Sequence, residues 1–351
     1  MKAMVLAAGF GTRFHPVTHT IPKPMIPVLN RPLLGWVVES CIDAGFDDLI
    51  VNLHHLPGAI RQYLDEEFGD RASIELSLEE EILGTGGALR RVRDRLGDDF
   101  VLVNGDTIQW PPLQDLVDRR REKGALACLL LRHAPADDSF TPVWLDRGWI
   151  TGFVEGTGEP LMFSGAHAIS REVLDLLPER DFSALTSEVY IPVVNDDVER
   201  LAGLVDDGDW FDVGTPLRYM EASRTLLSKT CAGELGAPRG NEIVENGSLA
   251  HHSAIARGEI ERCSIGSGST IEAGSVMSDT VAWSRVGIGS GSEVRDSIVA
   301  DGVSLPAGTV VRNALVVNGS DEIPDQEEIE RTGDWLVRAI DPSEPMTFRT
   351  G

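Results

Sequence analysis

Lysine is the scarcest charge in this 351-residue chain. Only Lys2, Lys23, Lys123 and Lys229 represent it among 31 basic residues, against 56 acidic ones, for a net charge of −25. A surface so acidic repels nucleic acid and anionic membrane, so neither is expected as a partner. Acid excess with few lysines also suits a salt-rich cytoplasm, where screening relieves self-repulsion. Cysteine is sparse as well. Cys41, Cys128, Cys231 and Cys263 lie far apart with no C-x-x-C pair, so neither a zinc site nor a disulfide framework is indicated. No apolar run reaches membrane-spanning length, and the N-terminus lacks the charged-then-apolar plan of a leader, so a cytoplasmic chain is expected. Two phosphate motifs are missing too. A dinucleotide fingerprint needs a third glycine where Phe14 stands, and a P-loop needs a Gly-Lys-Ser/Thr that the chain does not contain.

What is present starts with the N-terminus. The length suggests two domains, and a 42% apolar content supports a real core. Met4-Val5-Leu6 is short enough for a buried strand, and it breaks into Ala7-Ala8-Gly9-Phe10-Gly11-Thr12-Arg13. Two glycines let the backbone turn and bring its N–H groups close to a ligand. Arg13 adds a fork of donors suited to phosphate oxygens. Pro16, Pro22, Pro24 and Pro27 then follow, with Lys23 between two of them. Prolines this dense forbid a helix and predict a stiff, extended loop that fixes the lysine as a positioned charge.

Strand and helix patterns alternate from there. Helices are expected over 31–44, 58–68, 88–96 and 113–123, and strands over 49–51, 74–78, 100–103 and 125–131. That order predicts an α/β fold, Rossmann-like, with a mostly parallel sheet covered on both faces. Ligands of such sheets sit beyond the carboxyl ends of the strands. The first glycine loop, the second loop Gly84-Thr85-Gly86-Gly87, and Asp106 all fall at such ends. Strands over 149–154 and 162–169 follow, and a helix within 213–227 closes the region. The predicted domains are 1–228, a linker 229–240, 241–318, and an acidic tail 319–351. In 241–318 apolar residues recur at sixes, as Ile265 and Ile271 or Ile288 and Val294, with glycines between. Val281, Val286, Ile298 and Val303 follow a looser version. Such a period marks a short left-handed parallel β-helix of four or five rungs. In the tail, 327–340 is the candidate for a short helix.

The pattern Leu6, Ala7, Ala8, Gly9, Gly11, Arg13, Pro16, Pro22, Lys23, Pro24 resembles the signature of the sugar-1-phosphate nucleotidyltransferases, the NDP-sugar pyrophosphorylases. The likeness runs to residue 318 and is strongest at 5–28, 83–89, 101–106 and 210–216. With the β-helix and the Val281-Ala282-Trp283-Ser284 corner it is most similar to the mannose-1-phosphate guanylyltransferases. Segments 102–106 and 162–165 also resemble N-acetylmuramate-1-phosphate uridylyltransferases, which usually lack a β-helix. The resemblance implies a nucleoside triphosphate and a sugar-1-phosphate as substrates, Mg²⁺ as cofactor, and a homo-oligomer joined through the β-helix. It implies Asp106 and Asp212 as the metal-binding aspartates, and Arg13 and Lys23 as the catalytic cations. Leu6, Ala8, Gly9, Gly11, Thr12, Glu81, Gly84, Gly86 and Gly87 would join Arg13 and Lys23 in binding nucleotide. Asn104, Glu155 and Gly165 would hold the sugar.

One departure stands out. Many family members follow the sugar-binding glutamate with a lysine that grips the sugar phosphate, and here Gly156 follows Glu155. Three alternatives accompany the lead expectation: uridylyl or thymidylyl transfer to glucose-1-phosphate or an N-acetylated hexose-1-phosphate, a non-catalytic regulator that binds nucleotide sugars, and a bifunctional enzyme whose β-helix transfers acyl groups. The pairs His54-His55 and His251-His252 are read as surface or structural residues, since adjacent side chains on a strand or helix do not face one way.

Overall fold

The computed structural model describes residues 1–54, 56–135, 140–319 and 328–350. The chain forms two compact units, one of residues 1–10 and 33–211, the other of residues 11–32 and 212–351.

The first unit is built on a nine-stranded sheet. Its strands are β1 (Lys2–Leu6), β2 (Asp48–Leu53), β3 (Ser73–Leu78), β4 (Asp99–Asn104), β6 (Ala127–Arg132), β7 (Val143–Asp146), β8 (Trp149–Phe153), β9 (Glu159–Ser170) and β10 (Leu201–Val205), in the order β3-β2-β1-β4-β9-β6-β10-β8-β7. After β4, β5 (Thr107–Gln109) forms a separate two-stranded sheet with β11 (Trp210–Asp212). β3, β2, β1 and β4 are parallel. β9 then runs antiparallel to both β4 and β6, so the sheet is mixed. Ala3, Met4 and Val5 are fully buried. A central parallel strand has both faces covered, which is why β1 reads as an unbroken apolar run. Helices α1 (Leu33–Asp43), α2 (Pro57–Phe68), α3 (Gly84–Arg91) and α4 (Leu113–Lys123) supply those covers. The core joins Met4, Ile50, Leu102, Leu129 and Ile169 from adjacent strands with Leu89 of α3 and Tyr190. Burial pushes the thiols of Cys41 and Cys128 up to about 12, so both stay protonated and inert.

The second unit holds a three-faced stack of parallel strands, consistent with a left-handed β-helix. Residues 264, 281, 298 and 315 lie in register on one face, one turn apart. Inward positions step by six, six and five residues: Ile265, Ile271, Met277, then Ala282, Ile288, Val294, then Val299, Leu305, Val311 and Val316. The five-residue step at each turn is what blurs a strict period of six in the sequence. The corners need left-handed backbone. Arg262, Asp279, Asp296 and Asn313 form one such column, with φ of 51°, 48°, 49° and 50°, and the short polar members tolerate it best. Buried hydroxyls satisfy backbone amides one turn further on. Ser269 Oγ donates to Trp283 O at 2.7 Å and accepts from Val286 N at 3.0 Å.

Residues 11–32 pack within this second unit. The proline-rich stretch is wound into three single 3₁₀ turns, Thr12–Phe14, Val17–His19 and Lys23–Met25, rather than the expected extended loop. Proline is tolerated in the first turn of a helix because that N–H has no intrahelical partner. The loop is anchored by helix α5 (Pro216–Cys231) and by the β-helix. Tyr219 Oη donates to Pro27 O at 2.6 Å and accepts from Trp283 Nε1 at 2.9 Å. Phe14 meets the Tyr219 ring edge-on at 5.6 Å. Asn30 Nδ2 donates to Asn241 Oδ1 and to Ile265 O.

The tail corrects one expectation. Within the described part of 327–340, two antiparallel strands, Glu330–Thr332 and Trp335–Ala339, replace the helix. The second pairs with Ala314–Asn318, covering the open edge of the last β-helix rung. An exposed edge is satisfied by adding a strand, and that demand overrides local helical periodicity.

Tyr219→Phe leaves the buried Trp283 indole N–H unpaired and takes the donor from the half-buried Pro27 carbonyl. We expect a loss of about 1–3 kcal/mol, read by urea unfolding. Trp283→Phe, which removes one donor and keeps an aromatic body, should cost less than Trp283→Ala.

Candidate functional site

In the first unit the site grows from one level of the sheet. Leu6, Asn52 and Asn104 are in register on β1, β2 and β4. Leu6 and Asn104 end their strands at the carboxyl edge, and Asn52 lies one residue before the end of β2. Asn52 is 4% exposed. Its Oδ1 accepts from Ala7 N at 2.8 Å, and its Nδ2 donates to Glu79 Oε1 at 2.7 Å. The other Glu79 oxygen accepts from Leu83 N at 3.0 Å. A buried polar chain therefore ties the first glycine loop to the second. A fully satisfied network of this kind rigidifies its surroundings.

The expected loop 84–87 is instead the first turn of α3, which starts at Gly84 and ends at Arg91 rather than running 88–96, and it is locked from behind. Gly86 N and Gly87 N both donate to Ser183 O, at 2.9 and 3.4 Å. A Cβ at Gly86 would lie 2.5 Å from Ser183 Oγ, and one at Gly87 only 2.1 Å from Asp181 O. Their small size is thus used in packing, and those two amides are already spent. Glu81 is exposed and lines a cavity of about 500 Å³ with Glu80, Leu83, Gly87, Arg90 and Asp181.

Asn104 and Gly165 are brought together. A Cβ on Gly165 would lie 2.7 Å from Asn104 Nδ2, and its φ of +95° disfavours any side chain. Next to Asn104, Gly105 N donates to Leu6 O at 2.8 Å, and a Cβ there would meet that same oxygen at 2.5 Å. The glycine before Asp106 is therefore dictated by the close passage of β1. Asp106 is half-buried at this edge. Ser164 O accepts from Gln109 Nε2 and Trp210 Nε1, at 3.2 and 3.0 Å, which fixes the strand leading into Gly165. Glu155 stands on the exposed turn after β8, where a Cβ on Gly152 would strike its carbonyl at 1.9 Å.

The second unit holds the cations. Lys23 is 7% exposed. Its stem runs along Gly11, where a Cβ would lie 2.8 Å from Lys23 Cβ and where φ is +66°. Thr18 Oγ1 donates to Gly11 O at 2.9 Å. Gly11 is thus required by both space and conformation. Thr12 and Arg13 are exposed. Arg13 Nη2 and both carboxyl oxygens of Asp212 each lie 3.0 Å from the point a Gly214 Cβ would occupy, so the two side chains are neighbours. Asp212 is also ion-paired with Arg218 at the start of α5. Removing one partner of a pair this buried is costly. Thr215 caps that helix, accepting from Arg218 N at 3.3 Å.

Asn52, Glu79, Arg218 and Tyr219 were missed by sequence reasoning. Asn52 did carry a signal, as the one polar residue inside the apolar run 49–53. His251 holds Ser253 Oγ at 2.9 Å, a structural contact. His54 Nδ1 donates to Glu79 O at 3.0 Å, and His55 lies outside the described residues. Among the described residues no cluster of three or more His, Cys, Asp or Glu could hold a metal, and no helix is long and apolar enough to cross a membrane.

The first unit thus carries Asn104, Asp106 and Gly165 at a sheet's carboxyl edge, and the second carries Arg13 beside Asp212 and a buried Lys23. Residues 2–229 match the model of the Nucleotidyl transferase family, and residues 239–332 match the GlmU-like C-terminal hexapeptide. The chain belongs to the nucleotidyl transferase family. Probable mannose-1-phosphate guanylyltransferase 3 of Oryza sativa subsp. japonica is 30% identical over 302 residues, 81% of this chain and 80% of that protein. The mannose-1-phosphate guanylyltransferase of Mycobacterium tuberculosis is 28% identical over 82% of this chain and 80% of its own length. The UTP--glucose-1-phosphate uridylyltransferase of Synechocystis is 32% identical over 251 residues, 65% of this chain and 64% of that protein. The crystal structure of HddC from Yersinia pseudotuberculosis shares the fold with a TM-score of 0.55 and 20% identity, covering 64% of this chain and 99% of that one.

Lys23→Ala should lower turnover by orders of magnitude more than Lys123→Ala, which loses only a stack on Trp149 and a bond to Arg147 O. Steady-state kinetics on the two variants checks this, and equal effects would remove the proline-flanked lysine from the site.

Proposed function

We propose that this enzyme transfers a guanylyl group from GTP to mannose-1-phosphate, releasing pyrophosphate. The reach of the likeness carries this reading. The Oryza sativa and Mycobacterium tuberculosis guanylyltransferases match 81 and 82% of the chain, more than residues 2–229 can account for, so that similarity extends into the β-helix. A second reading, UTP with glucose-1-phosphate, is favoured by the 32% identity to the Synechocystis uridylyltransferase.

The chemistry asks little acid–base work of the protein. A sugar-phosphate oxygen, already anionic near neutral pH, attacks the α-phosphorus in line, and the bond to the departing pyrophosphate breaks. The task is to bring two anions together and stabilise charge in the transition state. Arg13 and the amides of Leu6, Ala8, Gly9, Gly11 and Thr12 would cradle the triphosphate. Lys23 would neutralise charge at the reacting phosphates. Glu81 and the 84–87 loop would meet the base and ribose, while Asn104, Gly165 and Glu155 would receive the sugar. Asp106 and Asp212 offer hard carboxylate oxygens, the donor type Mg²⁺ prefers, and would hold that ion. Mg²⁺ would supply charge neutralisation at the phosphates. The reading also includes a catalytic region 1–228, a β-helix 241–318 joining subunits, and a cytoplasmic location.

Pyrophosphate release across GTP, UTP, ATP, CTP and dTTP with mannose-, glucose- and N-acetylated hexose-1-phosphates tests the proposal. A GTP and mannose-1-phosphate optimum is expected. A UTP or dTTP optimum would overturn the substrate while keeping the reaction, and silence throughout would favour a regulatory homologue. In the active pair, Asp106→Asn and Asp212→Asn should each lower turnover by about 10²-fold or more.

A further inference from the structure

The C-terminal hairpin does more than cover an edge. Arg338 lies on its second strand, opposite Leu315 of the last β-helix rung. Its guanidinium turns to the phosphate loop. Nη1 donates to Arg13 O at 3.0 Å and to His15 O at 2.8 Å. Nη2 reaches Glu328 at 2.6 Å. The side chain is 18% exposed. These two carbonyls belong to the 3₁₀ turn that presents Arg13 and to the residue that closes it.

The strand carrying Arg338 is itself pinned. Asn313, at a left-handed corner of the β-helix, accepts from Asp341 N at 2.9 Å and donates to Asp341 O and Glu344 O at 2.8 and 3.0 Å. The hairpin thus has a fixed register, and Arg338 a fixed origin. A fork of donors held at one end and spanning two carbonyls at the other restrains the backbone between them.

We propose that Arg338 is a positioning residue of the nucleotide site, setting the backbone from which Arg13 reaches the triphosphate. Arg338, on a strand beyond the hexapeptide repeats, then bears on the nucleotide site through two backbone carbonyls. This rests on the reading of the glycine–arginine turn as the triphosphate cradle.

The test uses the full-length protein and titrates GTP and UTP by calorimetry, alongside thermal unfolding. Arg338→Ala should weaken binding of the preferred nucleotide about tenfold or more. Its melting temperature should stay close to wild type. Arg338→Lys keeps the charge but not the fork, so an intermediate loss is expected. Arg349→Ala, an exposed arginine of the same tail, should bind as wild type does. The decisive arm is the cycle with Arg13→Ala. If Arg338 acts through Arg13, the double variant binds no worse than Arg13→Ala alone. Unchanged affinity in Arg338→Ala, or additive losses in the cycle, would overturn the proposal while leaving the functional reading intact. Failure of the wild-type protein to bind either nucleotide would overturn the reading and the proposal together.

Discussion

One buried hydroxyl, that of Tyr219, holds the proline-rich loop to its support. It donates to Pro27 O and accepts from Trp283 Nε1, and both aromatic residues are 1% exposed or less. In so dry a setting each bond is stronger than in water, and leaving either partner unpaired is more costly still. Three parts of the chain meet at this atom: the proline-rich loop, helix α5, and a β-helix corner. The same helix begins with the Asp212–Arg218 pair. The orientation of the loop cations and of Asp212 therefore depends on packing that originates in the hexapeptide repeats.

This arrangement gives the β-helix a physical part in the site. A loop with two glycines and four prolines within 9–27 has little regular secondary structure to hold it. It gains order by docking against a stack in which every rung is fixed by the next. Tyr219 and Trp283 grip one end of the loop and Arg338 the other. An acidic protein with only four lysines has placed one of them, Lys23, almost fully buried along that loop. A cation in such a place loses hydration, and on the proposed function the substrates' phosphates would compensate it.

Local features were legible in the sequence. The strands and helices of the first unit follow their hydrophobic periods, and α4 coincides with the expected 113–123. The β-helix was legible through pairs such as Ile288 and Val294, although the five-residue step at each turn hid Met277 and Ala282 as core positions. Long-range partners left no such trace. Tyr219 and Pro27 are 192 residues apart, and Asn52 and Glu79 meet only because β2 and β3 pair. The proline-rich stretch was read as extended because prolines interrupt α-helices, yet single 3₁₀ turns accept them. The tail was read as a helix because its periodicity was judged without the open strand edge it must cover.

The central claim is that the β-helix holds the proline-rich loop, the proposed triphosphate cradle, in its conformation. Amide hydrogen exchange of residues 11–27, compared between wild-type protein and Trp283→Ala, tests it most directly. The account predicts that Phe14, Met25 and Ile26, whose amides close the 3₁₀ turns, lose protection in the variant while the strands of the first unit keep theirs. Unchanged protection of those amides, with Trp283 gone, would contradict it.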